Sequence, residues 1–169
     1  NIRTYVHFEG RDPGVWFLSF DAACRLAVEV ARWKWHLPYF YAEMDLRREG
    51  DEVRYSSRRI DSRSPRRADV DITARIGEPL NPEPGVSVEP GTLEHFLTER
   101  YVLYTNDHRG RLVRGRVHHS PYPLRSAEVV SCRQTLAAAA EVPVSRQPDH
   151  ALFCEGVTVD IFPLRRVSL

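Results

Sequence analysis

Period-two alternation of apolar and polar side chains recurs along most of this chain. It restricts the fold more than any other feature, because that spacing belongs to strands half-buried in a sheet. The first seven residues after Asn1 show it, with Ile2, Thr4, Val6 and Phe8 on one side and Asn1, Arg3, Tyr5 and His7 on the other. Residues 15–20, 39–47, 53–60, 68–76, 101–104, 111–119, 127–133 and 156–167 read as further strands. Asp12-Pro13-Gly14, Glu49-Gly50-Asp51 and Asn106-Asp107 supply the expected turns between them.

Only residues 22–35 carry a long helical period. Ala22, Leu26, Val30 and Trp33, supported by Ala23 and Ala27, form an apolar stripe, Asp21 is placed to cap it and Pro38 to stop it. Shorter helical turns are expected from Thr92 or Gly91 through Leu97 and over residues 136–141. Pro79, Pro82, Pro84 and Pro90 make the stretch between them a connecting loop, since proline lacks the N–H that regular structure needs. The reading is an α+β class dominated by strands.

At 169 residues and a formal charge of +1, the chain suits one domain over residues 1–169 with one core, and no whole-surface polyanion partner is implied. Of 24 basic residues only Lys34 is lysine, an imbalance that coding bias explains most simply. Cys24, Cys132 and Cys154 are odd in number and lack C-x-x-C spacing, which points to buried free thiols. No apolar run approaches the roughly 20 residues that span a bilayer, so no membrane association and a cytoplasmic location are expected. A start at Asn1 suggests that upstream sequence is not represented.

No H-E-x-x-H, G-x-S-x-G, Walker A or G-x-G-x-x-G pattern occurs, so no metal and no cofactor is expected. The cluster Arg54, Arg58, Arg59, Arg63, Arg66 and Arg67 is the best case for nucleic acid, but Tyr55 is the one aromatic near it, and a solvated face is the commoner meaning.

Several segments taken together are more specific: Asn1-Ile2-Arg3-Thr4-Tyr5-Val6, Gly14-Val15-Trp16-Phe17-Leu18-Ser19, Leu37-Pro38-Tyr39-Phe40, Glu99-Arg100-Tyr101 and His118-His119-Ser120-Pro121-Tyr122-Pro123-Leu124. Their order and content resemble the YqjF-like family of uncharacterised bacterial proteins, which looks like a relative of acetoacetate decarboxylase. The resemblance implies an antiparallel β-barrel or cone of that type around an apolar cavity, with one main helix and short helices. It also implies an N-terminal portion beyond this chain. Where the decarboxylase has a Pro-Lys-Lys segment with a Schiff-base lysine, this sequence has Pro38-Tyr39-Phe40, and neither side chain can form an imine. Lys34, between Trp33 and Trp35, fits a structural cation better than a nucleophile.

In such a barrel Asn1, Arg3 and Tyr5 could line the cavity and hold a carboxylate or another small polar group, with Tyr39, Tyr41 and Glu43 contributing from a second strand. His119 shares a face with Val113 and Val117 and is the candidate general acid or base, although a lone histidine at an apolar edge is more often structural. The leading expectation is a small-molecule-binding domain with a ligand of unknown identity. The alternatives are a non-covalent acid–base enzyme acting on a small carboxylate or carbonyl compound, and, more weakly, a nucleic-acid-associated protein. A homo-oligomer is a further option.

Overall fold

A computed structural model describes residues 1–144 and 146–167. The elements run β1 (Ile2–Phe8), β2 (Arg11–Ala22), α1 (Arg25–Trp35), β3 (Tyr39–Glu49), β4 (Glu52–Arg59), β5 (Asp69–Pro79), α2 (Leu93–Thr98), β6 (Val102–Asn106), β7 (Leu112–His119), β8 (Arg125–Gln134), α3 (Leu136–Ala139), β9 (Leu152–Phe153), β10 (Val159–Ile161) and β11 (Arg165–Arg166). The chain is a β-dominated α+β protein. It divides into two compact units, the first comprising residues 1–4, 17–75 and 129–149, the second residues 5–16, 76–128 and 150–169.

In the first unit the end of β2 pairs with β3 in parallel, Phe20 opposite Tyr39, and α1 is the crossover between them. Parallel neighbours require such a connection, because a tight turn can only reverse the chain. β3 then pairs antiparallel with β4 from Ala42 opposite Arg59 to Glu49 opposite Glu52, and β4 pairs antiparallel with β5. Ala68, Val70 and Leu136 form a buried cluster, with Ile2, Tyr55, Ile72 and Ala139 packed against it.

In the second unit β7 is central. It pairs antiparallel with β6 on one side and with β10 and β11 on the other, while β6 lies parallel to the start of β2, Val15 opposite Leu103. Leu103, Tyr104, Val15 and Val113 are buried there. The first residues of β8 pair with β9.

Within neither unit does the path of pairings among the described residues return to its first strand, and two of the pairings are parallel. The expectation of a closed, wholly antiparallel barrel is therefore replaced by open, mixed ladders. The expected last strand at 156–167 is two short strands on the same partner, interrupted at Phe162-Pro163-Leu164, since Pro163 has no N–H to give to a ladder. The first hairpin turns at Glu9-Gly10, both with positive φ (49° and 76°), a pair of signs that matches the strand twist. Asp12-Pro13-Gly14, expected to be that turn, lies inside β2.

The helix departs from expectation in two ways. Asp21 does not cap it: the cap residue is Cys24, without a side-chain hydrogen bond, and Asp21 is buried elsewhere. The stripe of Leu26, Val30 and Trp33 is exposed (Leu26 73%, Trp33 79%), whereas Val28 and Ala31 are buried. Arg25 and Arg32 explain the reversal. The Arg25 guanidinium lies 4.3 Å over the Tyr41 ring, and Arg32 donates from Nη1 to the Tyr39 carbonyl at 2.8 Å, so the face bearing Arg25, Val28 and Arg32 is the one laid on β3. Arginine stems and planes cover apolar surface that a polar label conceals. The helix ends on His36 in the left-handed conformation, whose N–H donates to the Ala31 carbonyl.

The cysteines are free, Cys24 exposed and Cys132 and Cys154 half-buried, so none is the fully buried thiol expected. No helix among the described residues is long and apolar enough to cross a membrane.

Candidate functional site

Side-chain alternation on β3, β4 and β5, combined with their register, assembles a polar checkerboard on one face of the first unit. Glu43, Arg58 and Asp69 stand in one row across the three strands, and Asp45, Ser56 and Asp71 stand in the row two residues along. A basin of about 520 Å³ opens over these rows, closed at its far side by Arg133 and Thr135. Arg58 donates to Glu43, and Arg133 donates to Asp71 at 3.3 Å. Thr135 closes a reciprocal pair with Asp69, its Oγ1 accepting from the Asp69 N–H at 2.9 Å while its own N–H donates to the Asp69 carbonyl at 2.9 Å. Asp69 Oδ1 is buried without a partner. Every carboxylate of the basin is ion-paired, Glu43 with Arg58, Asp45 with Arg47 at 2.8 Å, Asp69 with Arg67 at 3.3 Å and Asp71 with Arg133 at 3.3 Å, so the face is a set of balanced charge pairs.

Beside this face is a buried ionic cluster. Arg59 donates from Nε to Asp21 Oδ1 at 2.7 Å and from Nη2 to Ser19 Oγ, and its guanidinium lies 4.1 Å over the Phe40 ring. The two charged side chains are 2% and 3% exposed. Burial raises the Asp21 carboxyl above its ordinary range, opposed by the Arg59 charge.

The expected site residues are distributed over both units. Glu43 lines the basin, and Tyr39 and Tyr41 share its face of β3. Tyr39 stacks on Phe20 with ring centroids 4.1 Å apart, and the Tyr41 N–H donates to Asp61 Oδ2 at 2.9 Å. Asn1 and Arg3 are exposed and belong to the first unit. Tyr5 and His119 belong to the second. The Tyr5 hydroxyl donates to the Leu97 carbonyl at 3.0 Å, and its ring lies against Phe96. His119 is 5% exposed, its Nδ1 lies 2.8 Å from the Ser120 carbonyl, and its ring stacks on Tyr101 and meets Tyr122 edge-on. Lys34 lies 4.8 Å over the Trp35 ring, the structural place for that cation.

Asp45, Ser56, Asp69, Asp71 and Arg133 were not singled out from the sequence. The turn at Glu49-Gly50-Asp51 was legible and fixes Glu43 opposite Arg58, so the register was the available signal. The arginine cluster is paired throughout: Arg54 with Glu52, Arg58 with Glu43, Arg59 with Asp21, Arg63 with Asp61 and Glu29, Arg66 with Glu141 and Arg67 with Asp69. Among the described residues no group of three or more His, Cys, Asp or Glu side chains could hold a metal ion.

Two tyrosines should reveal their surroundings by titration. Burial pushes Tyr39 up to about 12, and burial with the Glu99 carboxylate beside it pushes Tyr101 up to about 12. Alkaline difference spectroscopy should show a late phenolate rise near about pH 12, with part of its amplitude lost in Tyr39→Phe. Ionisation of Tyr39 and Tyr101 already complete near about pH 10 would contradict these placements.

The family model of DUF2071, described as "Uncharacterized conserved protein", matches residues 1–158, and the chain belongs to that family. It is similar to "Uncharacterized protein YqjF" of Bacillus subtilis (strain 168), with 36% identity over 169 residues, covering 99% of this chain and 65% of the relative. The chain thus spans about 65% of the length of the curated relative it matches.

Proposed function

We propose that this chain is a small-molecule-binding domain that seats its ligand in the basin over β3, β4 and β5. The observation that carries the reading is the volume of about 520 Å³ lined by convergent charged groups of known register. Pockets for small ligands span about 300–1,000 Å³ and use a few placed polar groups to orient what they hold. Asp45 and Asp71, each held by an arginine (Arg47 and Arg133), keep lone pairs that an amine or other cation can take, and Arg58, paired with Glu43, suits an anionic end if the ligand has one. Covalent imine chemistry has no support, because the position after Pro38 is Tyr39 and Lys34 sits on an indole. The kinship with the decarboxylase type of fold belongs to this reading and is supported by the sequence resemblance. The acid–base alternative has less support, since the His119 ring is held between two tyrosines with Nδ1 against a main-chain carbonyl.

Native mass spectrometry of protein purified from its host should detect a co-purifying compound. In solution, an Asp45→Asn/Asp71→Asn double variant should weaken binding of that compound, or of the best primary amine from a small panel, by about tenfold or more, the scale of two lost charge-assisted hydrogen bonds. Isothermal titration that gives equal affinities for both proteins would sink the proposal.

A further inference from the structure

The proline-dense loop and the segment after β7 build a second cavity, wholly within the second unit, of about 480 Å³. Its walls are apolar: Pro79 from the end of β5, Pro82 and Pro84 from the loop, Pro123 and Leu124, and Phe153 from β9. One side chain fixes the two walls against each other. Asn81 donates from Nδ2 to the Val86 carbonyl at 2.8 Å and to the Tyr122 carbonyl at 3.0 Å, and its Oδ1 accepts from the Leu124 N–H at 2.6 Å. The Leu80 N–H adds a bond to the Leu124 carbonyl at 2.9 Å. Because proline also fixes φ, little backbone freedom remains to be lost when a ligand enters.

The cavity contains one cation. Arg125 Nε donates to the Gly77 carbonyl at 2.8 Å, which sets the plane of the guanidinium, and Arg125 forms no ion pair with a carboxylate among the described residues. Its two terminal nitrogens make no ion pair among the described residues, in contrast to the paired arginines of residues 54–67. Glu83 and Glu155 also line the cavity but are exposed. Their charge disfavours a second anionic group, so the site discriminates against dicarboxylates and phosphate esters.

We infer that this cavity binds a small organic monocarboxylate with an apolar body, its carboxylate on the terminal nitrogens of Arg125 and its body against Pro82, Pro123 and Phe153. A planar guanidinium fits a carboxylate with two parallel hydrogen bonds, and burial of the apolar body supplies the remaining affinity. The site is independent of the basin in the first unit, so the two can be tested separately.

The test uses the full chain, 3-phenylpropionate and hexanoate as probes, and 3-phenylpropanamide as an uncharged analogue of nearly the same shape. Amide shifts in a 1H–15N spectrum should saturate, centred on Leu124, Arg125 and Phe153. The amide analogue should bind about tenfold more weakly than the acid, the scale of one charge-assisted pair. Arg125→Gln should show the same loss, and the Asp45→Asn/Asp71→Asn variant should bind the acids as the parent does. Saturable shifts located elsewhere, acid and amide binding equally, or no saturation at millimolar probe would each overturn the assignment. If Arg125→Gln does not fold, the comparison of acid with amide on the unaltered protein still decides.

Discussion

Replacing Arg59 with alanine is expected to lower the free energy of unfolding by about 3–5 kcal/mol, the cost of leaving a buried charge without its partner. Asp21 would keep its carboxylate in a site where Oδ2 already lacks a hydrogen bond, Ser19 Oγ would lose its donor, and Phe40 would lose the cation over its ring. The double variant Arg59→Met/Asp21→Leu should recover most of the loss, because an apolar pair of similar volume avoids desolvating two ions. The deficit of Arg59→Ala should also depend on pH in a definite direction. A carboxyl whose folded pKa is raised binds its proton more tightly in the folded state than in the unfolded one. The penalty is therefore present above the folded pKa and relieved as pH falls through it, so the gap between variant and parent narrows towards about pH 4. Urea denaturation at pH 7 and pH 4.5 checks both statements; a loss below about 1 kcal/mol at pH 7 would show that the pair is not buried as described.

The second large effect concerns Gly14. A Cβ at this position would press on the Val102 carbonyl oxygen and approach Tyr104 Cε2 to 2.9 Å and the Val102 carbonyl carbon to 3.0 Å. The obstructing atoms are main chain and a buried aromatic ring, and neither can swing aside. Gly14→Ala should therefore cost about 3 kcal/mol or more by forcing β2 away from β6 where they pair in parallel. Gly77→Ala is the control. Its nearest obstruction is the Ser126 hydroxyl, a rotatable side-chain end, and the Gly77→Ala/Ser126→Ala double variant should be close to the parent in stability. Thermal melts of the three variants separate the cases, and equal losses for Gly14→Ala and Gly77→Ala would refute the close approach of β2 and β6.

Much of the strand layout was legible because alternation is a local property. β1, β3, β4 and β7 lie close to where their patterns place them, and Glu49-Gly50-Asp51 turns where its residue types require. Partner choice is not local. Nothing in the alternation of residues 15–20 distinguishes a strand with parallel partners from one in an antiparallel barrel, and the barrel expectation failed at that point. The face of α1 was misjudged for another reason. Hydrophobicity ranks Leu26 and Trp33 above Arg25 and Arg32, yet the arginines reach aromatic rings and a carbonyl on β3 that the apolar side chains do not. Asp21 was misread for the same reason: it has the residue type of a cap, and only the fold brings Arg59 to it from 38 positions away.

The candidate sites were partly legible. Glu43 was identified, but Asp45, Asp69 and Asp71 each look like an ordinary solvated strand carboxylate, and they become a group only when the register of three strands is applied. Arg125 carries no motif; its distinction is that it forms no ion pair among the described residues, which no spacing in the sequence records.

Asn81, the amide that holds the two walls of the proline cavity together, is followed by Pro82. Asparagines commonly decay when the nitrogen of the next peptide attacks the side-chain carbonyl, and a proline nitrogen, already fully substituted, cannot do so. The clasp is thus closed to the usual route of chemical ageing, and the shape it maintains should outlast storage that erodes exposed asparagines elsewhere.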